Sequence, residues 1–441
     1  MKILFILPEF PPDHGGGIVT FYRDLISGLT RNGCECSVLL GSGYLHGMPR
    51  YIWRDVSVDV LRTDLFDKWR RHFQHFMLFP QLQRHFAAAY AMHEQARAGE
   101  GFDAVEVVDW GMLFMPWVLE ASAPTLVQLH GSCGQIGMHD PRAGAESEDL
   151  LAILIEATVL AHAEVNTHSL SNRAWWNGVL GREIGYQLPA FELPPLDQVR
   201  ETPRNDRFLA VGRIQKWKGP QVACAAWAKL GESAPRLDWI GRDTEFGEKR
   251  LSMDEQLKLL FPGTWRRVIQ PLGQKSPEDI YRHMQSAKAV VVPSTWDAFN
   301  LVTAEAMALA TPVIVSSGAG AVDLVETGKN GFTFPNGDAE ALMQEIEHVN
   351  NLSHAELSEI GENGRETIRR SLCPVSVAAA KAAIYRKLKL QNHTRIDWLS
   401  QSLHKQTSSS RTPLDDLPIK TLGKALVRRL FDKVWHAANH E

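Results

Sequence analysis

Cysteine is scarce in this sequence. Five residues in 441, Cys34, Cys36, Cys133, Cys224 and Cys373, are scattered, odd in number and without the paired spacing of a zinc knuckle. That argues against a disulfide-stapled fold and against a metal ribbon, and it marks the thiols as reduced, as in a cytoplasmic protein. Long apolar runs are missing too. Nothing reaches the roughly 18 residues of a membrane-spanning helix. The apolar start, residues 3–7, meets Pro8 before it attains the about 7–15 residues of a signal-peptide core. The expectation is a soluble or peripheral protein, cytoplasmic and at most attached to the inner face of the membrane. Neither sign of charge dominates: the net charge of -4 gives no reason to expect nucleic acid as a partner. No Gly-x-Gly-x-x-Gly follows the first apolar run, which argues against a nicotinamide-dependent dehydrogenase. No internal repeat of fixed period is visible.

What the sequence does hold is an α/β rhythm. The length favours two domains. Residues 3–7 read as a strand buried on both faces, followed by the Gly15-Gly16-Gly17 turn, a helix over 19–30, and a strand over 36–40. Further strands are expected at 104–108 and 125–129. A stretch rich in proline and charge, 192–207, cannot build a core and reads as a linker. The rhythm then restarts, with strands at 208–211, 237–240, 289–292, 313–315 and 332–334 and a helix at 221–230. The expected organisation is an N-terminal domain over 1–195, a linker over 196–207, a C-terminal domain over 208–373, a returning helix over 374–390, and a tail over 391–441 that is loosely ordered until about residue 419. Such halves leave a cleft between them, where ligands usually bind.

One segment stands out for its chemistry. Val290-Val291-Val292, Pro293-Ser294, then Asp297 to Ala308 read as strand, loop and helix, with Asn300 as the helix cap and Thr311-Pro312 as its end. This junction places unpaired backbone N–H groups and the positive end of a helix dipole at the carboxyl edge of the sheet, suited to a phosphate. Asp297 and Glu305 offer one carboxylate for sugar hydroxyls and one for a ribose. The competing reading is an ordinary capped helix bearing two solvated acids. Two acids on a neighbouring strand end, Glu106 and Asp109, are candidate acceptor contacts.

Asp297-x7-Glu305, followed by Ala306-Met307-Ala308 and Pro312-Val313-Ile314, resembles the Glu-x7-Glu signature of retaining glycosyltransferases of the GT-B fold, specifically the group 1 transferases of family four. Val211-Gly212-Arg213 with Lys218-Gly219, Gly273 through Tyr281, Gly331-Phe332 with Asn336-Gly337-Asp338, and Pro11-Pro12-x-x-Gly15-Gly16 fall in the same order. The resemblance covers about 1–40 and 208–342. It implies an α/β protein of two Rossmann-like, doubly wound parallel-sheet domains facing across a cleft, acceptor domain first and donor domain second. It implies a hexosyltransferase-type, retaining glycosyltransferase that moves a sugar from a nucleotide-diphosphate sugar to a glycan, lipid-linked or small-molecule acceptor in polysaccharide or glycoconjugate synthesis. No metal and no cofactor are expected, the nucleotide-sugar being a substrate.

By the same resemblance Arg213 and Lys218 hold the donor diphosphate, Glu305 the nucleotide ribose and Asp297 the transferred sugar. The backbone at Phe299, Asn300 and Leu301 contacts sugar and phosphate, and Gly16 and Gly17 approach the phosphates from across the cleft. His130, after the strand at 125–129, touches the sugar near its reacting carbon. Two fixed cations can stabilise a departing diphosphate, each worth roughly 3–4 kcal/mol; taken alone, Arg213 reads as a surface ion pair worth under about 1 kcal/mol. Three positions depart from the pattern: Asp297 for glutamate, Asn300 for glycine and Ala310 for glycine. The first two leave open a degenerate transferase that binds a sugar or a partner; a nucleotide-sugar epimerase of the same fold is the other rival. Two basic amphipathic segments, 66–86 and 420–435, suit either packing on the protein itself or peripheral contact with a membrane.

Overall fold

The computed structural model describes residues 1–12, 16–140, 145–193, 204–246, 251–390, 396–404, 423–424 and 427–428. Its first half supplies strands β1 (Lys2–Leu7), β2 (Glu35–Leu40), β3 (Tyr51–Trp53), β4 (Val56–Val60), β5 (Ala104–Val108), β6 (Thr125–Gln128), β7 (Glu164–Thr167) and β8 (Gly185–Tyr186). They form one sheet in the order β3-β4-β2-β1-β5-β6-β7-β8, with β3 and β4 its antiparallel pair. Helices α1 (Gly17–Arg31), α2 (Thr63–His72), α3 (Pro80–Gln95), α4 (Met115–Leu119), α5 (Cys133–His139), α6 (Glu146–Leu160) and α7 (Leu170–Leu180) connect and cover it.

The second half supplies β9 (Phe208–Val211), β10 (Leu237–Ile240), a small ribbon of β11 (Glu245–Phe246) and β12 (Leu251–Ser252), then β13 (Ile269–Gly273), β14 (Ala289–Val292), β15 (Val313–Ser316) and β16 (Phe332–Phe334). Six of these build a second sheet, β13-β10-β9-β14-β15-β16, parallel at each pairing. Its helices are α8 (Pro220–Leu230), α9 (Met253–Leu260), α10 (Pro277–Ser286), α11 (Leu301–Ala308), α12 (Ala339–Asn351) and α13 (His354–Ser371); α14 (Pro374–Tyr385) and α15 (Asp397–His404) follow.

The strand sequences explain the layering. Side chains alternate across a strand, so an unbroken apolar run feeds two cores. Phe208 and Ala210 of β9 and Ala289 and Val291 of β14 face one core, while Leu209, Val290 and Val292 face the other. β1 is apolar after Lys2 for the same reason and lies fully buried. A chain with this order has its loops to helices at the carboxyl edge of each sheet, and there the two sheets face each other.

After α13 the chain returns. Pro374 opens α14, which packs on α1 so closely that a Cβ on Gly28 would lie 2.3 Å from the Pro374 carbonyl oxygen. Val377, Ala378, Ala382 and Tyr385 enter the core of the first sheet, as do Ile396, just before α15, and Leu403 within it. The expectation of a loosely ordered tail is therefore corrected for 396–404: two buried apolar side chains dock this turn of helix on the N-terminal domain. Of the expected amphipathic helix over 420–435, only Gly423, Lys424, Val427 and Arg428 are described, and the rest lies outside the described residues; so do residues 196–203 of the linker and Gly15. Arg204 and Asn205 already pack on the second domain, through Ala310 O at 2.5 Å and Ser286 O at 2.7 Å. No described helix is long and apolar enough to cross a membrane.

Candidate functional site

The segment singled out by its chemistry sits at the carboxyl edge of the second sheet, as β14, a loop and α11. Segment 318–321 pins this loop: Asp297 N donates to Gly318 O at 2.9 Å, Asp297 O accepts from Gly320 N at 3.0 Å, and Phe299 O accepts from Ala321 N at 2.5 Å. Asn336 adds a fourth bond, its Nδ2 donating to Thr295 O at 2.9 Å. Asn300 caps α11 with its side chain. Among the described residues the N–H groups of Asn300, Leu301 and Val302 have no protein partner, so the start of α11 presents free donors.

Lys218 comes from the turn after β9, where Lys216–Lys218 makes a single 3-10 turn ending at Gly219. Gly219 must be glycine: its φ is 71°, and a Cβ would sit 1.8 Å from Pro293 O. That backbone contact carries Lys218 beside the 293–297 loop. Its Nζ reaches Asp297 Oδ2 at 2.5 Å. Arg213 stands on the same turn, its charge set among Glu9, Asp140 and Asp297, with Arg242 nearby. Among the described residues its guanidinium has no hydrogen-bond or ion-pair partner, which leaves its donors for a ligand.

The N-terminal domain closes on this surface. Gly17 begins α1 against Leu301; a Cβ there would lie 3.6 Å from Leu301 Cδ1, so the small residue lets backbone approach α11. Gly16 precedes it with φ -77°, and its N–H reaches Glu9 Oε2 at 3.4 Å. His130 follows β6 and packs edge-on to Phe21, with ring centroids 4.6 Å apart. Its Nε2 is buried and has no partner among the described residues. Burial, the neighbouring His168 and the Lys381 ammonium all depress its basicity, so the ring is neutral. His168 follows β7 and contacts both His130 and, across the cleft, Phe299, at 4.9 and 5.7 Å between centroids. Burial holds His168 down at about 3.

Glu305 lies in the second turn of α11, half-buried. Burial pushes its carboxyl up to about 7; Arg23 of α1 opposes the shift and Asp24 reinforces it. Arg23 itself is held by Asp24, Nε to Oδ1 at 2.6 Å.

The two expected acceptor contacts are corrected. Glu106 and Asp109 are fully buried and already engaged. Glu106 receives Tyr385 Oη at 2.6 Å and pairs with Lys381 at 3.0 Å. Asp109 accepts from the backbone of His130 at 2.8 Å and of Gly131 at 3.0 Å. It therefore fixes the His130 turn from behind instead of meeting a ligand.

Sequence reasoning missed several residues of this cleft. Glu9, Arg23 and His168 line it, and His139 stacks on Trp296 at 4.5 Å and 6°. A usable signal existed only for His168, which follows its strand much as His130 does. β7 reads Glu-Val-Asn-Thr, too polar to be taken for a buried strand. An open depression of about 470 Å³ elsewhere is lined by Arg207, Arg236 and Lys288. These residues precede β9, β10 and β14, so the depression lies at the opposite, amino edge of the sheet and has no part in the cleft.

Two Rossmann-like domains facing across a cleft, with an anion-suited helix start in the second, define a GT-B protein. The comparisons agree. The chain has 17% identity to HepE of Anabaena in complex with UDP-glucose, with a TM-score of 0.62 over 88% of this chain and 100% of that one. Sucrose-phosphate synthase from Thermosynechococcus elongatus gives a TM-score of 0.65 at 19% identity, over 88% and 99%. An uncharacterised glycosyltransferase of Methanocaldococcus jannaschii is 25% identical over 348 residues, 75% of this chain and 84% of its own length. Residues 205–351, most of the C-terminal domain, match the family described as glycosyl transferases group 1.

Proposed function

We propose that the protein transfers a sugar from a nucleotide-diphosphate sugar to an acceptor with retention at the anomeric carbon, serving glycan or glycoconjugate synthesis in the cytoplasm. The observation that carries this reading is the convergence on one spot beside Asp297 of Lys218, Arg213 and the first N–H groups of α11, the latter two without a protein partner among the described residues. Two cations and a helix start suit a diphosphate, and Asp297 and Glu305 suit the hydroxyls on either side of it. The bound UDP-glucose of the HepE complex, a protein of the same fold, supports a donor of that class.

In this mechanism the bond between the anomeric carbon and the diphosphate oxygen breaks while Arg213, Lys218 and the α11 donors take up the charge that develops. The acceptor oxygen attacks on the same face, and its proton passes to the departing phosphate oxygen. His130 stays neutral and lends a polar edge near the reacting carbon. Asp297 holds a sugar hydroxyl, and Glu305 accepts from the ribose.

The test is kinetic. Arg213→Ala and Lys218→Ala should each lower kcat/KM by about a hundredfold or more. Near-wild-type rates in both variants would sink the mechanism. Thermal stabilisation by UDP-, GDP-, ADP- and dTDP-sugars identifies the donor. Incubation with donor alone separates transfer from epimerisation, which needs no acceptor.

A further inference from the structure

Asn300 has an unusual station. Its backbone is left-handed, with φ 78° and ψ 85°, and it is only 6% exposed. Asparagine tolerates that region better than most residues, but nothing in the backbone requires it over glycine. Its side chain is used at both ends. Oδ1 accepts from Thr303 N at 3.3 Å and caps α11, while Nδ2 donates to Asp297 Oδ2 at 2.9 Å. Lys218 Nζ meets the same oxygen at 2.5 Å. Oδ2 of Asp297 is therefore doubly held, and among the described residues Oδ1 receives no protein donor. The Asp297 backbone is fixed on both sides by Gly318 and Gly320.

The two holders of Oδ2 differ in one respect. Lys218 is a cation on a flexible stem, and an arriving diphosphate draws it away from Asp297. The Asn300 amide is neutral, buried and anchored to the helix start, so an anion does not compete for it. We propose that Asn300 is a positioning residue: it keeps the Asp297 carboxylate aimed, with Oδ1 toward a hydroxyl of the transferred sugar, when Lys218 turns to the diphosphate. Asp297 and Asn300 act as one unit, a short acid with a lateral brace, at the two positions where the sequence leaves the glutamate and glycine of the pattern it resembles. This rests on the donor reading above.

Four variants of the full-length protein test it, Asn300→Gly, Asn300→Asp, Asp297→Glu and the double Asp297→Glu/Asn300→Gly, compared with wild type on the donor found in the nucleotide-sugar screen. Asn300→Gly keeps the backbone conformation and removes the brace. Asn300→Asp keeps the cap and removes the donor to Asp297. Both should lower kcat by about tenfold to a hundredfold, the range of a lost hydrogen bond to a charged group. Affinity for the matching nucleoside diphosphate should fall less than kcat does in Asn300→Gly, which keeps the backbone donors of α11, whereas the added carboxylate of Asn300→Asp should weaken it. The Asp297→Glu/Asn300→Gly double variant should retain about tenfold more kcat than the product of the two single-variant losses predicts, because the residues act as one unit. Asn300→Asp with kcat within about twofold of wild type would reduce Asn300 to a helix cap and overturn the proposal. Multiplicative effects in the double variant would overturn the coupling. Failure of the wild type to bind any of UDP, GDP, ADP or dTDP is a different result: it overturns the donor reading first and this inference with it.

Discussion

Glu305 carries its charge near the middle of the ordinary working range, because burial has pushed its carboxyl up to about 7. Its folded value lies above its ordinary one, so folding favours the protonated form. The stability this group contributes is present at low pH and is lost as pH rises from about 4.5 through about 7. Ligand binding runs the other way. On the proposed function a ribose donates hydrogen bonds to the ionised carboxylate, so nucleotide affinity should fall as pH drops below about 7, by at most about tenfold per unit. Calorimetry from acid to alkaline pH measures this directly. Glu305→Gln should bind more weakly and lose the Glu305 step, while the titration of the nucleotide's own phosphate persists in both proteins. Matching pH profiles would remove Glu305 from the nucleotide site. At this scale the sequence was informative where a motif fixes spacing. Lys218, Asp297, Asn300 and Glu305 are brought together by one turn and one loop. Glu9 and Arg23 were invisible because each reaches the cleft from a separate element and no local pattern links them; His168 was marked only by its place after a strand.

Among elements, α14 ties a buried polar network into the first domain. Lys381 is buried in it and bonds to Gln128 Oε1 at 2.6 Å and to Glu106 at 3.0 Å, while Tyr385 holds the same acid. Gln128 passes the network to His168 at 3.2 Å. Lys381→Ala would leave Glu106 as an uncompensated buried charge and should destabilise the protein by about 3–5 kcal/mol. Lys381→Met with Glu106→Gln should recover most of that loss, and urea unfolding of the two variants checks it; equal losses in both would mean that packing, not charge, is at stake. Apolar strands were legible in sequence: 104–108, 208–211, 237–240 and 289–292 are reproduced residue for residue. The strand at β4 was overlooked although Val-Ser-Val-Asp-Val alternates strictly, while β7 was hidden by its polar composition and β8 by its length of two residues. Glu106 and Asp109 misled for a related reason. An acid at a strand end looks like a ligand group from sequence, but here helix α14 and the His130 turn cover both.

Across the whole molecule the two domains meet on both flanks of the cleft. On one side Leu170 N donates to Asp323 Oδ2 at 2.7 Å. On the other Gln215 donates to Asp140 at 2.5 Å, and His139 lies flat on Trp296. Contacts of this kind exclude water from a reacting centre. On the proposed function, His139→Ala with Asp140→Ala should raise hydrolysis of the donor relative to transfer by roughly threefold or more, read as free sugar released without acceptor. An unchanged ratio would show that this flank does not seal the cleft. The two-domain α/β plan was legible because apolar strands and helices alternate twice around a proline-rich break. These flanking contacts were not, since they join loops far apart in the chain.

The docking of α14 and α15 on the first sheet also sets a timetable for biosynthesis. The strands of that sheet have all emerged by Tyr186, yet Val377, Ala378, Ala382, Tyr385, Ile396 and Leu403 complete its core. At about 5–20 residues per second, a nascent chain waits roughly ten to forty seconds between the two events. Throughout that interval the face of α1 at Gly28 that α14 will cover lacks its partner, while the entire second domain is synthesised and has time to fold. The domain translated first is thus the one finished last, and its apolar seam is the surface a chaperone would meet on the ribosome.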